Sequence, residues 1–197
     1  MIVGKMLRII GGTAGSRKIK TLTGEDTRPT ADRVREALFN VLGARVIDCK
    51  FLDLFAGTGA VGIEALSRGA RQAVFVEKNP RAVRVIRENL ERMEMLERAK
   101  VLGQKLPEGL LYLVEEGGGF EIIFVDPPYG HNLVVPTLLK LTKLNLLKPD
   151  GWLVVETAAK EPLSPLIGHY TCFKEKFYGD TRLSYFRLTT ETEMGGV

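Results

Sequence analysis

FLDLFAGTGAVG, residues 51–62, is the stretch whose reading decides the fold. Its first half is short and apolar enough to be covered on both faces, as a strand inside a parallel sheet is. Its second half spaces Gly57, Gly59 and Gly62 as GxGxxG and runs into a helical pattern. Glycines at a strand-to-helix turn let the backbone approach a ligand closely and aim helix N–H groups at it. The next apolar run, QAVFVE at 72–77, ends on Glu77, where an acid that holds a ribose belongs in this arrangement.

Outward from that turn, EIIFV at 121–125 and WLVV at 152–155 read as further buried strands, and a short one fits near 99–102. Helical stretches lie between them at 60–68, 80–97, 106–115 and 133–146. In the second of these, Val83, Ile86, Leu90 and Met93 form a stripe opposite Arg81, Arg84, Arg87, Glu91 and Glu94. Strand and helix in alternation predict an α/β doubly wound sheet with right-handed crossovers. The end differs: YTCFKEKF at 170–177 and SYFRLT at 184–189 flank Tyr178, Gly179 and Asp180, which predicts an antiparallel hairpin at a sheet edge. Gly117, Gly118 and Gly119 read as a loop before the fourth strand.

At the other end, LRII at 7–10 and RKIKTL at 17–22 predict two short strands about Gly11 and Gly12. A helix follows to about residue 44, capped by Thr30, with Asp32 at its positive end and Val34, Ala37, Leu38, Val41 and Leu42 on one face. The predicted organisation is a basic hairpin and helix over 1–45 packed as an extension, a catalytic domain over 46–190, and a frayed tail at 191–197.

The 197 residues suffice for a domain with its own core. No apolar run approaches the length of a membrane span, and MIVGKMLRIIGG lacks the pattern of a secretory signal. Cys49 and Cys172 stand far apart, with only His131 and His169 beside them in the inventory, so neither a disulfide framework nor an ordinary zinc site is expected. A cytoplasmic protein without a metal follows. The charge is asymmetric: residues 1–50 carry ten Lys/Arg against five Asp/Glu, whereas the remainder is nearly balanced. Lys5, Arg8, Arg17, Lys18 and Lys20 occur before any acid, a pattern that suits a phosphate-attracting patch and equally a solvated basic end.

Two ligand classes use such a glycine turn, dinucleotides and S-adenosylmethionine (SAM). Asp53, four residues before Gly57, would repel a diphosphate but suits the ammonium of the methionine moiety, directly or through water. At the end of the fourth strand stands Asp126-Pro127-Pro128-Tyr129. The prolines stop the strand and stiffen the turn. An exocyclic amine conjugated to its heterocycle is a poor nucleophile until acceptors hold its N–H groups. The Asp126 carboxylate and the Pro127 carbonyl are suited to that role, and Tyr129 to stacking on an extruded base. A nicotinamide-dependent oxidoreductase is the rival reading, and Asp53 and DPPY oppose it. An RNA-binding protein without catalysis would need a defect in one of the two motifs, and neither shows one.

The chain resembles a family. DLFAGTG is similar to methyltransferase motif I, Glu77 to the ribose acid of motif II, and DPPY to motif IV of enzymes that methylate amino groups of nucleobases. LRIIGG at 7–12, RPTADRVREALFNVL at 28–42, DLFAGTGAVGIEALSRGA at 53–70, FVDPPY at 124–129 and YGDTRLSYFRL at 178–188 together resemble the RsmD-type bacterial 16S ribosomal RNA guanine-N2 methyltransferases. The resemblance implies a Rossmann-like class I fold with a mostly parallel seven-stranded sheet, and methyl transfer from SAM to N2 of guanine 966 in small-subunit RNA. It implies a cofactor site of Asp53, Phe55, Ala56, Gly57, Thr58, Gly59, Glu77, Lys78, Gln104 and Lys105, and a catalytic site of Asp126, Pro127, Pro128 and Tyr129. A monomer is expected to work on the small subunit or an assembly intermediate, with Arg17, Lys18, Lys20, Arg28 and Arg33 holding RNA. One departure stands out: after the third strand the family carries an acid for the adenine amino group, and this chain has Gln104, which can accept a hydrogen bond but carries no charge. His131 reads as a surface residue at a helix entry, Glu156 as a fold-stabilising partner or a site residue, Phe51 and Trp152 as core, and Met93 and Met95 as helix packing.

Overall fold

A computed structural model describes residues 6–22, 29–115, 119–128 and 130–189. Lys5, Arg28, Tyr129, Gly117, Gly118 and the 191–197 tail lie outside the described residues. The chain opens with β1 (Met6–Arg8) and β2 (Lys18–Lys20), then α1 (Pro29–Leu42) and a 3-10 turn, Gly43–Val46. The parallel part follows: β3 (Lys50–Leu54), α2 (Ala60–Ser67), β4 (Gln72–Val76), α3 (Pro80–Arg92), β5 (Ala99–Leu102), α4 (Tyr112–Glu115), β6 (Phe120–Val125), α5 (Val134–Lys143) and β7 (Leu147–Ala158). It closes with β8 (Leu166–Ile167), β9 (Tyr170–Tyr178) and β10 (Thr181–Leu188).

The main sheet has the order β5-β4-β3-β6-β7-β10-β9-β8. Strands β3 to β7 are mutually parallel, and β10 and β9 join antiparallel to β7 as the C-terminal hairpin. The fold is thus α/β and Rossmann-like, with β3 and β6 side by side where the strand order reverses. The two-residue β8 adds an eighth strand that its local sequence does not announce. Period-two alternation divides the core. Phe51, Phe75, Ile122, Phe124 and Val154 face one layer, while Leu52, Leu54, Val76, Val125 and Val155 face the other.

Several boundaries move for local reasons. Helix α1 begins at Pro29, so Thr30 lies inside the first turn and is not its cap; proline suits that position because its missing N–H would be unpaired there anyway. Helix α3 stops at Arg92, short of 97, because Glu94 adopts a left-handed φ of 59° and the Met95 N–H returns to the Leu90 carbonyl. The helix predicted over 106–115 is a 3-10 turn, Glu108–Leu111, running into the single turn of α4. Strand β7 extends beyond 152–155 in both directions, since its pairing with β10 runs from Leu153 to Ala158 and Leu147 at its start pairs with Phe120 of β6.

The N-terminal hairpin has no core of its own. Ile9, Ala14 and Ile19 are fully buried in the layer that holds Ile63, Leu66 and Leu90. Burying each isoleucine contributes about 1.5–3 kcal/mol. Polar contacts fix its position. Glu64, fully buried in α2, accepts the N–H groups of Ile10 and Gly11, both at 2.8 Å. The same carboxylate pairs with Arg68 at 2.8 Å and with Arg35 of α1 at 3.6 Å.

Candidate active site

At the carboxyl ends of β3, β4 and β6 lies a cavity of about 580 Å³, within the usual range for a small-molecule site. Phe55, Gly57, Glu77, Lys78, Gln104 and Lys105 line one side, and Asp126, Pro127 and Pro128 the other. The two motifs of the sequence therefore meet across one space. Thr58 and Gly59 are buried and, with Asp53 and Ala56, stand behind the turn and not on the cavity wall.

Each part of the turn has a local cause. Phe55 holds a left-handed φ of 62°, an uncommon state for an aromatic residue, and so redirects the chain as β3 ends. Gly57, at φ 52°, has open space where a side chain would stand, so its backbone faces the cavity. Gly62 has a different reason: a Cβ there would lie 2.2 Å from the Phe75 ring, so only glycine lets α2 settle against β4.

Carboxylates occupy the turn's own donors. Asp53 Oδ2 accepts the Gly62 N–H at 2.9 Å, and Glu77 Oε2 accepts that of Gly57 at 2.9 Å, with Glu77 Oε1 taking the Asn79 N–H at 2.8 Å. A first-turn amide of α2 that would meet a pyrophosphate is thus already spent on a buried acid. What the turn offers the cavity is the Glu77 side chain, while Asp53 is held behind it. Burial pushes the Asp53 carboxyl up to about 8, against the pull of the Gly62 N–H, with the Glu77 charge adding to the rise. Asp126 is also held well above the ordinary carboxylate range, first by burial and then by the charges of Glu156 and Asp53.

His131 and Glu156, read from sequence as bland or ambiguous, both line the cavity. Glu156 follows Val155, which pairs with Val125, so Asp126, just past the end of β6, and Glu156, still within β7, stand side by side on adjacent parallel strands. Phe51 is core and Trp152 half-buried, while Met93 and Met95 pack in the helix layer. Of the basic residues, Arg17, Lys18, Lys20 and Arg33 are exposed. Arg17 donates to the Arg92 carbonyl and Lys20 pairs with Glu88 at 2.6 Å, so β2 sits along α3.

Sequence reasoning missed two connectors. Asn89 is fully buried in α3 and donates to the Lys20 carbonyl at 3.0 Å and to the Thr58 carbonyl at 3.2 Å, while accepting the Lys20 N–H at 2.8 Å. It joins the basic hairpin to the glycine turn. Glu64 is the other, and its signal was available: an acid inside the apolar run AVGIEALS needs a partner.

Comparison with known proteins agrees with this geometry. The family model described as "Conserved hypothetical protein 95" matches residues 7–187. The chain is 37% identical over 175 residues to "Ribosomal RNA small subunit methyltransferase D" of Haemophilus influenzae, which covers 88% of this chain and 89% of that protein. The chain belongs to the RsmD-type methyltransferase family. The solved structure of the Escherichia coli protein yhhF superposes on this family member with a TM-score of 0.80 at 30% identity, covering 95% of this chain and 100% of that one. A second structure, SMU.776 complexed with SAH, shares the fold at 15% identity, with a TM-score of 0.72 over 95% of this chain and 57% of that one. Among the described residues of the RsmD-type chain, no helix is long and apolar enough to cross a membrane.

Proposed function

We propose that this RsmD-type protein transfers a methyl group from SAM to the exocyclic N2 of a guanine in 16S ribosomal RNA, guanine 966 by family resemblance. The observation that carries the reading is the single cavity between Glu77 and Asp126. The residues present fit SAM better than a dinucleotide, because Asp53 and Glu77 already fill amide donors of the turn that a pyrophosphate would need, and Glu77 stands on the cavity wall where it can meet ribose hydroxyls. Phe55, Gly57, Glu77, Lys78, Gln104 and Lys105 would hold it, Glu77 at the ribose hydroxyls and Gln104 at the adenine. Bound there, SAM supplies a methyl group on a sulfonium sulfur.

The chain's own contribution is alignment. Asp126 and the Pro127 carbonyl accept the two N–H groups of the target amine, turning its nitrogen lone pair toward the donor carbon. SAM held there would give its methyl group to that nitrogen and keep the sulfonium electrons as a thioether, and Asp126 or water would take the amine proton. The rigid proline turn fixes these acceptors before substrate arrives. Tyr129 would supply the stacking face. The exposed Arg17, Lys18, Lys20 and Arg33, with Arg28, would hold flanking phosphates, which position RNA without reading its sequence.

Equilibrium dialysis with radiolabelled SAM and with NADH tests the cofactor. SAM should bind and NADH should not. Glu77→Ala should weaken SAM by roughly 1.5–3 kcal/mol, about one to two decades in Kd. A folded Glu77→Ala protein with parental SAM affinity would move the ribose elsewhere.

A further inference from the structure

The catalytic turn has a second cavity on its other side. It measures about 480 Å³ and shares Pro127, Pro128, Leu133 and Glu156 with the cavity assigned above to SAM. Val134, Val135, Pro162 and Leu163 give it apolar surface, Asn132, Thr157, Lys160 and Glu161 give it polar surface, and Glu156 stands where it joins the first cavity. Glu156 is half-buried there, within β7 and one strand away from Asp126. Neighbouring strands lie about 4.8 Å apart, so the two side chains can meet neighbouring atoms on the edge of one flat ring.

We propose that the second cavity receives the extruded base and that Glu156 selects guanine by accepting its N1–H while Asp126 and Pro127 hold N2. This rests on the reading of the protein as an amino-methyltransferase and adds the residue that chooses the base. The selectivity follows from the bases themselves. Beside the amine of guanine stands N1–H, a donor. Beside the amine of adenine stands N1, and beside that of cytosine N3, both acceptors that a carboxylate repels. A single acid at the DPPY turn can orient any of the three amines. A second acid on the adjoining strand admits only the base with a donor in the next position. The charge of Glu156 also contributes to the raised proton affinity of Asp126, as expected of two acids facing one small volume.

The probe is 2-aminopurine, which keeps the amine of guanine but has an acceptor at N1. Small-subunit RNA is joined from two pieces, with guanine or 2-aminopurine at the position that the parent enzyme methylates. Transfer is then measured under single-turnover conditions. The parent should prefer guanine by about a hundredfold or more, because 2-aminopurine leaves a partly desolvated carboxylate against an acceptor. Glu156→Gln, whose amide can accept from N1–H or donate to N1, should bring the two substrates within about threefold while SAM still binds. Equal rates on both RNAs with the parent enzyme would overturn the proposal without any variant. A Glu156→Gln protein that binds SAM and keeps the parental preference would overturn it as well. A parent enzyme that leaves guanine N2 unmethylated would remove the underlying reading and this inference with it.

Discussion

Asp126 carries the account at the level of single residues. Its carboxyl sits well above the ordinary range because burial, Glu156 and Asp53 all oppose its charge, yet only the ionised form can take the proton that the amine gives up. The rate of the transfer step should therefore rise with pH until Asp126 has lost its proton. Glu156→Gln removes one opposing charge and should move that rise to lower pH, which stopped-flow or quench measurements across pH would read. Asp126→Ala should lower turnover by about a hundredfold or more with SAM affinity nearly unchanged; parental single-turnover rates in that variant would contradict the orienting role. Asp53 gives a stability prediction of defined sign. Its folded value of about 8 lies above the ordinary 3.8, so the folded state binds the proton more tightly. The resulting stabilisation is fully present below about 4 and is lost as pH rises through about 8. Asp53→Asn, which can still accept the Gly62 N–H, should flatten the fall in denaturation midpoint across that window.

Among the elements, the glycine turn and the DPPY turn were legible because each needs unusual residues at fixed spacing, and the buried strands because parallel strands are apolar on both faces. The role of Asp53 was only half legible. Sequence gives an acid on a buried strand, but its alternation with Phe51 and Leu52 turns it toward α2, where Gly62 takes it. The attachment of the hairpin was not legible at all, since Glu64 meets Ile10 and Gly11 across more than fifty positions. That attachment is testable. Glu64→Ala removes the acceptor of the Ile10 and Gly11 amides, while Arg35 keeps Asp32 and the Arg8 carbonyl, so the cost is that of unpaired buried amides, about 1–3 kcal/mol each. The hairpin should then show faster amide exchange at Ile10 and Gly11 than the strands of the main sheet. Unchanged protection there would mean that the buried apolar residues Ile9, Ala14 and Ile19 hold the hairpin without it.

The molecule as a whole places a basic hairpin along α3 at Glu88 to Arg92, while the cavity proposed for the cofactor, with Glu77, Asp126 and Glu156 on its wall, lies at the carboxyl ends of the strands. Separate charge signs for RNA phosphate and for a cationic cofactor predict separate salt responses. With about four phosphate contacts, the logarithm of RNA affinity should fall with the logarithm of salt at a slope of about −3, and neutralising Arg17 and Lys18 together should flatten it by about one to two. SAM binding should hardly respond to either change, and a doubly neutralised protein with the parental slope would leave the basic end to solvation. The central claim, transfer to guanine N2, has its own direct measurement. Small-subunit RNA lacking the modification is incubated with the enzyme and methyl-labelled SAM, digested to nucleosides and resolved by mass spectrometry. The account predicts label in N2-methylguanosine alone, entering about a hundredfold more slowly, or slower still, with Asp126→Ala; label in N6-methyladenosine or N4-methylcytidine would contradict it.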